Sequence, residues 1–209
     1  MRLRYRVILD EICALHWEGL SRDDLIALAQ AYYYFSVQFR ENLQTARALY
    51  PQDGKLAQLE AEECGTANLS PWPGVAEPGE AMDHDEFLRR LLCSPPDRGD
   101  EGCGLSAIGE NYLLAVRTID PAVRALSIAS YEDGGLDRVF RAFLRAPDWQ
   151  DLRLQAFRHF LTRHLGFDGD PVHGHGALSR HLRPDDRILP LWVAFKTLLV
   201  KSVPRLENS

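Results

Sequence analysis

Ser21-Arg-Asp-Asp-Leu-Ile-Ala-Leu-Ala-Gln-Ala-Tyr-Tyr-Tyr-Phe-Ser-Val-Gln-Phe39 reads as the opening of a long helix. Ser21 is a good N-cap, because its side-chain oxygen can accept from a backbone N–H of the first turn. Asp23 and Asp24 then place negative charge at the positive end of the helix dipole. Apolar residues recur at helical period from Leu25 to Leu49. Tyr32, Tyr33, Tyr34 and Phe35 fall inside this run. An aromatic stripe on a bundle helix is more often core than the wall of a substrate pocket.

The same signals repeat outward. A shorter helix is expected from about Tyr5 to Trp17, and Pro51 to Gly54 reads as a turn. Lys55 to Cys64 is a short helix closed by Gly65. Pro71, Pro73 and Pro78, with Gly74 and Gly79, make Thr66 to Met82 a loop, a lid or a simple connection, which we expect to be poorly ordered or to change on ligand binding and to border the entrance of the site. Asp83 caps a helix from His84 to Cys93, and a second Pro/Gly-rich connection runs to Gly104. Leu105 to Thr118 is helical. Asp120-Pro121 opens a helix to about Ala146, kinked at Gly134-Gly135. Asp148 caps the next, to about Leu165, and a last helix covers Asp185 to Val203. No alternating Val/Ile/Thr runs flank a two-residue turn, so a hairpin signal is missing. The expected fold is all-α: one bundle of seven to nine helices in a single domain over residues 1–209.

Composition narrows the function. Hydrophobic residues are 45% of the chain, enough for a sizeable core. A net charge of −6 and a pI near 5.6 argue against nucleic acid as a partner. No apolar run is long enough for a membrane span. The basic start is interrupted by Asp10 and Glu11, which makes a poor signal peptide, so a cytoplasmic location is the default. Cys13, Cys64, Cys93 and Cys103 form no CxxC pair, and a disulfide framework is not expected.

Chemistry concentrates in carboxylates and imidazoles. His164 and Asp168 are four apart and share a helix face, with His173 and His175 following closely. Leu56, Leu59 and Glu63 lie on one stripe, which turns Glu63 inward, whereas Glu60 and Glu62 fit a solvated face. A carboxylate on an apolar stripe needs a partner. His84 opens the next helix. Glu132 stands between Ile128 and Leu136 on an apolar face. Glu63, Glu132 and Asp168, with His84, His164 and either His175 or His173, would make a binuclear site. Inward-facing Glu and His on separate helices hold two iron or manganese ions in bundle proteins. Arg180, His181, Arg183 and Arg187 suit an anionic substrate, although solvated charge is the commoner fate of such a group.

The strings Ala31–Phe39, Leu59-Glu-Ala-Glu-Glu-Cys-Gly65, His84-Asp-Glu-Phe-Leu88, Ala129-Ser-Tyr-Glu132 and Phe160-Leu-Thr-Arg-His164-Leu-Gly-Phe-Asp168 resemble the haem-oxygenase-like diiron oxidases. That group sits in a wider superfamily with thiaminase-2 and pyrroloquinoline quinone synthase. The resemblance covers roughly residues 20 to 205 in the family's motif order. It implies two iron ions held by Glu63, His84, Glu132, His164, Asp168 and a last His. It also implies dioxygen and a small organic molecule as reactants, with a homodimer the default assembly. Two departures stand out: the Glu63-to-His84 interval is lengthened, and Gly169-Asp170-Pro171 pushes the last His to His173 or His175. His175 is favoured because Gly174 and Gly176 permit close backbone approach. The rival readings are a metal-free relative, either a cofactor-independent, quinone-synthase-like oxidase or a thiaminase-like hydrolase with Cys64 beside Glu63 as nucleophile, and a non-catalytic helical binding protein.

Overall fold

The computed structural model describes residues 3–93, 106–168 and 175–207, without the side chains of 167 and 168. Ten α-helices lie among them: α1 (Arg4–Cys13), α2 (Arg22–Leu49), α3 (Gly54–Glu63), α4 (His84–Cys93), α5 (Ala107–Arg117), α6 (Pro121–Glu132), α7 (Gly135–Phe143), α8 (Leu152–Asp168), α9 (His175–Ser179) and α10 (Leu189–Ser202). The only β-type pairings among the described residues are the isolated bridges Thr66–Met82 and Trp72–Ala76. No helix there is long and apolar enough to cross a membrane.

The 28-residue α2 is the axis of the bundle. Its start is a capping box: the Ser21 hydroxyl accepts from the Asp24 N–H and the Asp24 carboxylate accepts from the Ser21 N–H. Helices α3, α4, α5, α6, α8 and α10 all pack against it. Tyr32, Tyr34 and Phe35 are buried, so the aromatic stripe is largely core. The Tyr32 ring meets Phe140 and Phe160 edge-on, at 5.5 and 5.7 Å between centroids. Buried rings of this kind each contribute on the order of 2–3 kcal/mol by leaving water. Polar groups also enter the core. The fully buried Gln38 donates to the Tyr131 hydroxyl at 3.3 Å and accepts from the Tyr112 hydroxyl. Asn42 donates to Ser127 Oγ at 3.1 Å and accepts from Arg124 Nε at 2.8 Å. Each is satisfied, as a buried amide must be.

The helix count exceeds the expected seven to nine for two reasons. The helix expected from Pro121 to Ala146 breaks at Gly134, whose φ of 82° ends α6 and starts α7 at a new angle. The five-residue α9 was not foreseen. The cap of α8 is Asp151, not Asp148, because the Asp151 carboxylate accepts from the Arg153 N–H at 2.8 Å. Replacing Asp151 with alanine should cost about 1 kcal/mol, read as a melting temperature lower by roughly 2–4 °C.

The loop between α3 and α4 is no loose lid. Thr66 and Met82 exchange two backbone hydrogen bonds at 3.0 Å, and the Asp83 carboxylate accepts from the Gly65 N–H at 2.9 Å. Leu69, Val75 and Ala76 are buried, and Trp72 stacks on His159 of α8. The cysteine expectation also fails at one position. Cys93, at the end of α4, is disulfide-bonded, while Cys13 and Cys64 are free.

Candidate metal centre

Of the five expected site residues whose side chains are described, four lie at helix ends rather than within helices. Glu63 is the last residue of α3, His84 the first of α4, Glu132 the last of α6 and His175 the first of α9. His164 alone projects from the body of a helix, α8. Despite spanning more than a hundred positions, all five converge, and all are buried, His164 being the most open at 9% exposure.

They form two groups, each able to hold a cation: Glu63, His84 and His164, and Glu63, Glu132 and His175. Glu63 belongs to both. Its Oε2 lies 2.7 Å from His84 Nδ1, and His84 Nδ1 lies 3.2 Å from His164 Nε2. Its Oε1 lies 3.0 Å from His175 Nδ1, which is 3.2 Å from Glu132 Oε2. One carboxylate therefore faces two donor sets with opposite oxygens, the disposition of a bridging ligand.

The remaining nitrogens set the ring protonation. Asn68, from the pinned loop, donates through Nδ2 to the Glu62 carbonyl at 2.9 Å. Its Oδ1 is thereby turned to His84 Nε2, 3.0 Å away, and accepts that N–H. His164 donates through Nδ1 to the Phe160 carbonyl at 2.9 Å. In the neutral rings the unprotonated nitrogens are then His84 Nδ1, 2.7 Å from Glu63 Oε2, and His164 Nε2, 3.2 Å from His84 Nδ1. Three acceptors meeting at this range repel unless a proton or a metal ion lies among them.

Four helix termini meet at the site. Glu63 and Glu132 sit at the negative ends of α3 and α6, and His84 sits at the positive end of α4. Each placement opposes the macrodipole by roughly 0.3–1 kcal/mol if the groups are only a carboxylate and an imidazolium. A metal ion at the centre would instead be favoured by the negative ends of α3 and α6, against the positive ends of α4 and α9, and would take the imidazoles in their neutral form. Glu63 Oε1 is also buried without a hydrogen bond of its own. The donor set, two carboxylates and three imidazoles, all buried, fits a metal ion that takes nitrogen and oxygen ligands. Burial works to raise the Glu63 carboxyl, but His84 and His175 in their protonated forms outweigh it and hold the group well below the usual carboxylate range.

Packing explains the convergence. Gly176 brings α9 against the end of α6, where a Cβ would stand 2.9 Å from the Glu132 carbonyl oxygen. This close approach delivers His175. Glu60 instead pairs with Arg47 at 3.2 Å, and Glu62 accepts from Gln58 at 2.9 Å while standing 3.5 Å from His175 Nε2. Asp168 ends α8, but its side chain lies outside the described residues, as does His173. Asn68 is the functional neighbour that sequence reasoning missed. An asparagine in a Pro/Gly-rich loop carries no signal until the loop is seen folded onto His84.

A small cavity of about 10 Å³ lies among the donors, walled by Tyr32, Ser36, Phe39 and Phe160. That is room for about one water-sized molecule. The basic group suggested for an anionic substrate is partly spent on ion pairs away from this cavity: Arg180 with Asp133, His181 with Asp53, and Arg187 with Asp185. The Cys64 thiol is pushed up to about 12 by burial and by the carboxylates of Asp83, Glu63 and Glu60. It stays protonated at neutral pH, which counts against its use as a nucleophile. No family model, curated protein or solved structure matches the chain.

Proposed function

We propose that the chain is a non-haem diiron oxidase or oxygenase of haem-oxygenase-like fold, taking dioxygen and a small organic substrate. The reading is carried by one observation: Glu63 faces two buried donor groups with its two carboxylate oxygens. The proposed ligands are Glu63, His84, Glu132, His164, Asp168 and His175. Two ferrous ions held there would supply the electrons and open positions that dioxygen reduction requires. The protein's part is to hold lone pairs in fixed directions and to keep water out. Asn68 and the Phe160 carbonyl fix the rings of His84 and His164, while Tyr32, Phe39 and Phe160 wall the cavity with aromatic surface. An organic substrate needs more room than about 10 Å³, so its binding must widen the site.

The test is anaerobic loading with ferrous ion, followed by exposure to air-saturated buffer. Two ions per chain and rapid oxygen uptake are expected. Tight binding of manganese without oxygen uptake would reassign the metal, and failure to bind either ion would remove the proposal. Loading should also release protons, because a metal displaces whatever protons the imidazoles carry. A pH-stat measures this directly, and proton release that does not grow as the pH is lowered would show that the metal displaces no imidazole proton. Replacing Asn68 with leucine frees the His84 ring and should weaken metal affinity by about 10–100-fold. Competition with a chromophoric chelator reads that change, with circular dichroism checking that helicity is kept.

A further inference from the structure

We propose that the recess between α1, the α6–α7 joint and residues 180–184 binds a small organic oxyanion: a carboxylate or phosphate ester with an apolar body. The recess measures about 440 Å³, within the range of small-molecule sites. Arg6, Arg138, Arg180 and Arg183 line it, against one lining carboxylate, Asp133. This gathers four positive side chains in a protein whose net charge is −6.

Two of the four are engaged at its rim. Arg180 donates to Asp133 at 3.0 Å and Arg138 to Asp10 at 2.6 Å. The other two have no carboxylate within ion-pair distance among the described residues. Arg6 lies 5.9 Å over the Tyr5 ring and donates to that hydroxyl at 3.4 Å. Arg183 is the only non-glycine residue there with a positive φ, at 48°. Guanidinium forks of this kind match the paired oxygens of carboxylate and phosphate. Gly134 and Gly135 line the same recess, and α7 opens at Gly134 without a side-chain cap. Tyr5 and Leu9 supply an apolar wall. Charged forks beside an apolar surface select an anion that carries a hydrocarbon portion.

This site is separate from the metal centre. Asp133 and Glu132 are adjacent, yet Asp133 lines the recess and Glu132 lines the buried cavity. Its occupation does not depend on metal.

The test is a nuclear magnetic resonance titration of the ¹⁵N-labelled full chain with phenyl phosphate and, separately, benzoate. Saturable shifts at the Gly134 and Gly135 amides and at arginine Nε signals are expected with at least one probe. The probe that binds tighter identifies the head group. The double variant Arg6→Gln with Arg183→Gln changes exposed side chains without ion pairs and should keep its spectrum elsewhere. Its affinity should fall by about tenfold or more. Lys201→Gln, a surface charge on α10, should bind as the parent does. The proposal is overturned if chloride at equal ionic strength moves the same signals as far, or if the double variant binds as well as the parent.

Discussion

Replacing Glu63 with glutamine should empty both halves of the metal centre at once. Glutamine keeps the shape and volume of the side chain, so the change removes charge and little else. Each carboxylate oxygen faces one donor group, Oε2 toward His84 and Oε1 toward His175. Losing a charged contact costs about 1.5–3 kcal/mol, or on the order of a hundredfold in affinity at each position. His164→Ala removes a donor from one group alone and should leave roughly half the metal. Glu60→Gln, which breaks only the pair with Arg47, should leave all of it. Ferrous ion bound per chain after anaerobic loading ranks the three variants. A Glu63→Gln protein that retains two ions would refute the bridging role. The metal-free variant should remain helical, since the core around α2 does not involve Glu63.

Gly135→Ala should be the most damaging single methyl addition near the site. A Cβ there would lie 2.1 Å from the Ser130 carbonyl oxygen and 3.1 Å from Trp192 Cζ2. Neither can yield cheaply: one is backbone, and the other belongs to a fully buried ring. Overpacking of this severity costs about 3 kcal/mol or more. For a chain of this size the melting temperature should drop by roughly 6–12 °C. The neighbouring Gly134→Ala is the control, because a Cβ there meets open space and only the positive φ opposes it, at about 1–2 kcal/mol. Thermal melts of the two variants separate the effects. Equal losses would mean that the backbone turn, rather than the close contact with Ser130, governs the joint.

Most of the helical architecture was legible in the sequence, because caps and apolar period are local. Ser21 and Asp120 cap where their neighbours imply, whereas Asp53, read only as part of a turn, caps α3. The break at Gly134 was legible only as a kink, since whether a Gly-Gly pair bends or ends a helix depends on what packs across it. Here that is Ser130 and Trp192. The inward turn of Glu63 was readable from its place beside Leu56 and Leu59. Its two-sided role was not, for it depends on α9 reaching the end of α6 through Gly176. Glu132 was expected on a continuous helix face; it faces inward from a helix terminus instead. The buried amides Gln38 and Asn42 were not anticipated. Polar residues on a long helix declare themselves as core only when a partner such as Tyr131 or Ser127 is placed opposite.

The clasp formed by Thr66, Met82 and Asp83 bears on how such a protein can vary. Because the chain is tied together just after α3 and just before α4, the distance from Glu63 to His84 is set at the clasp and not by the number of residues beyond it. The exposed turn at Glu77, Pro78 and Gly79 can then gain residues without strain reaching the imidazole. Each doubling of such a loop adds only about 0.6 kcal/mol of closure entropy. Spacing between these two residues is therefore free to drift over generations while their 2.7 Å contact is preserved. The same turn is a natural place to insert a reporter or an affinity tag.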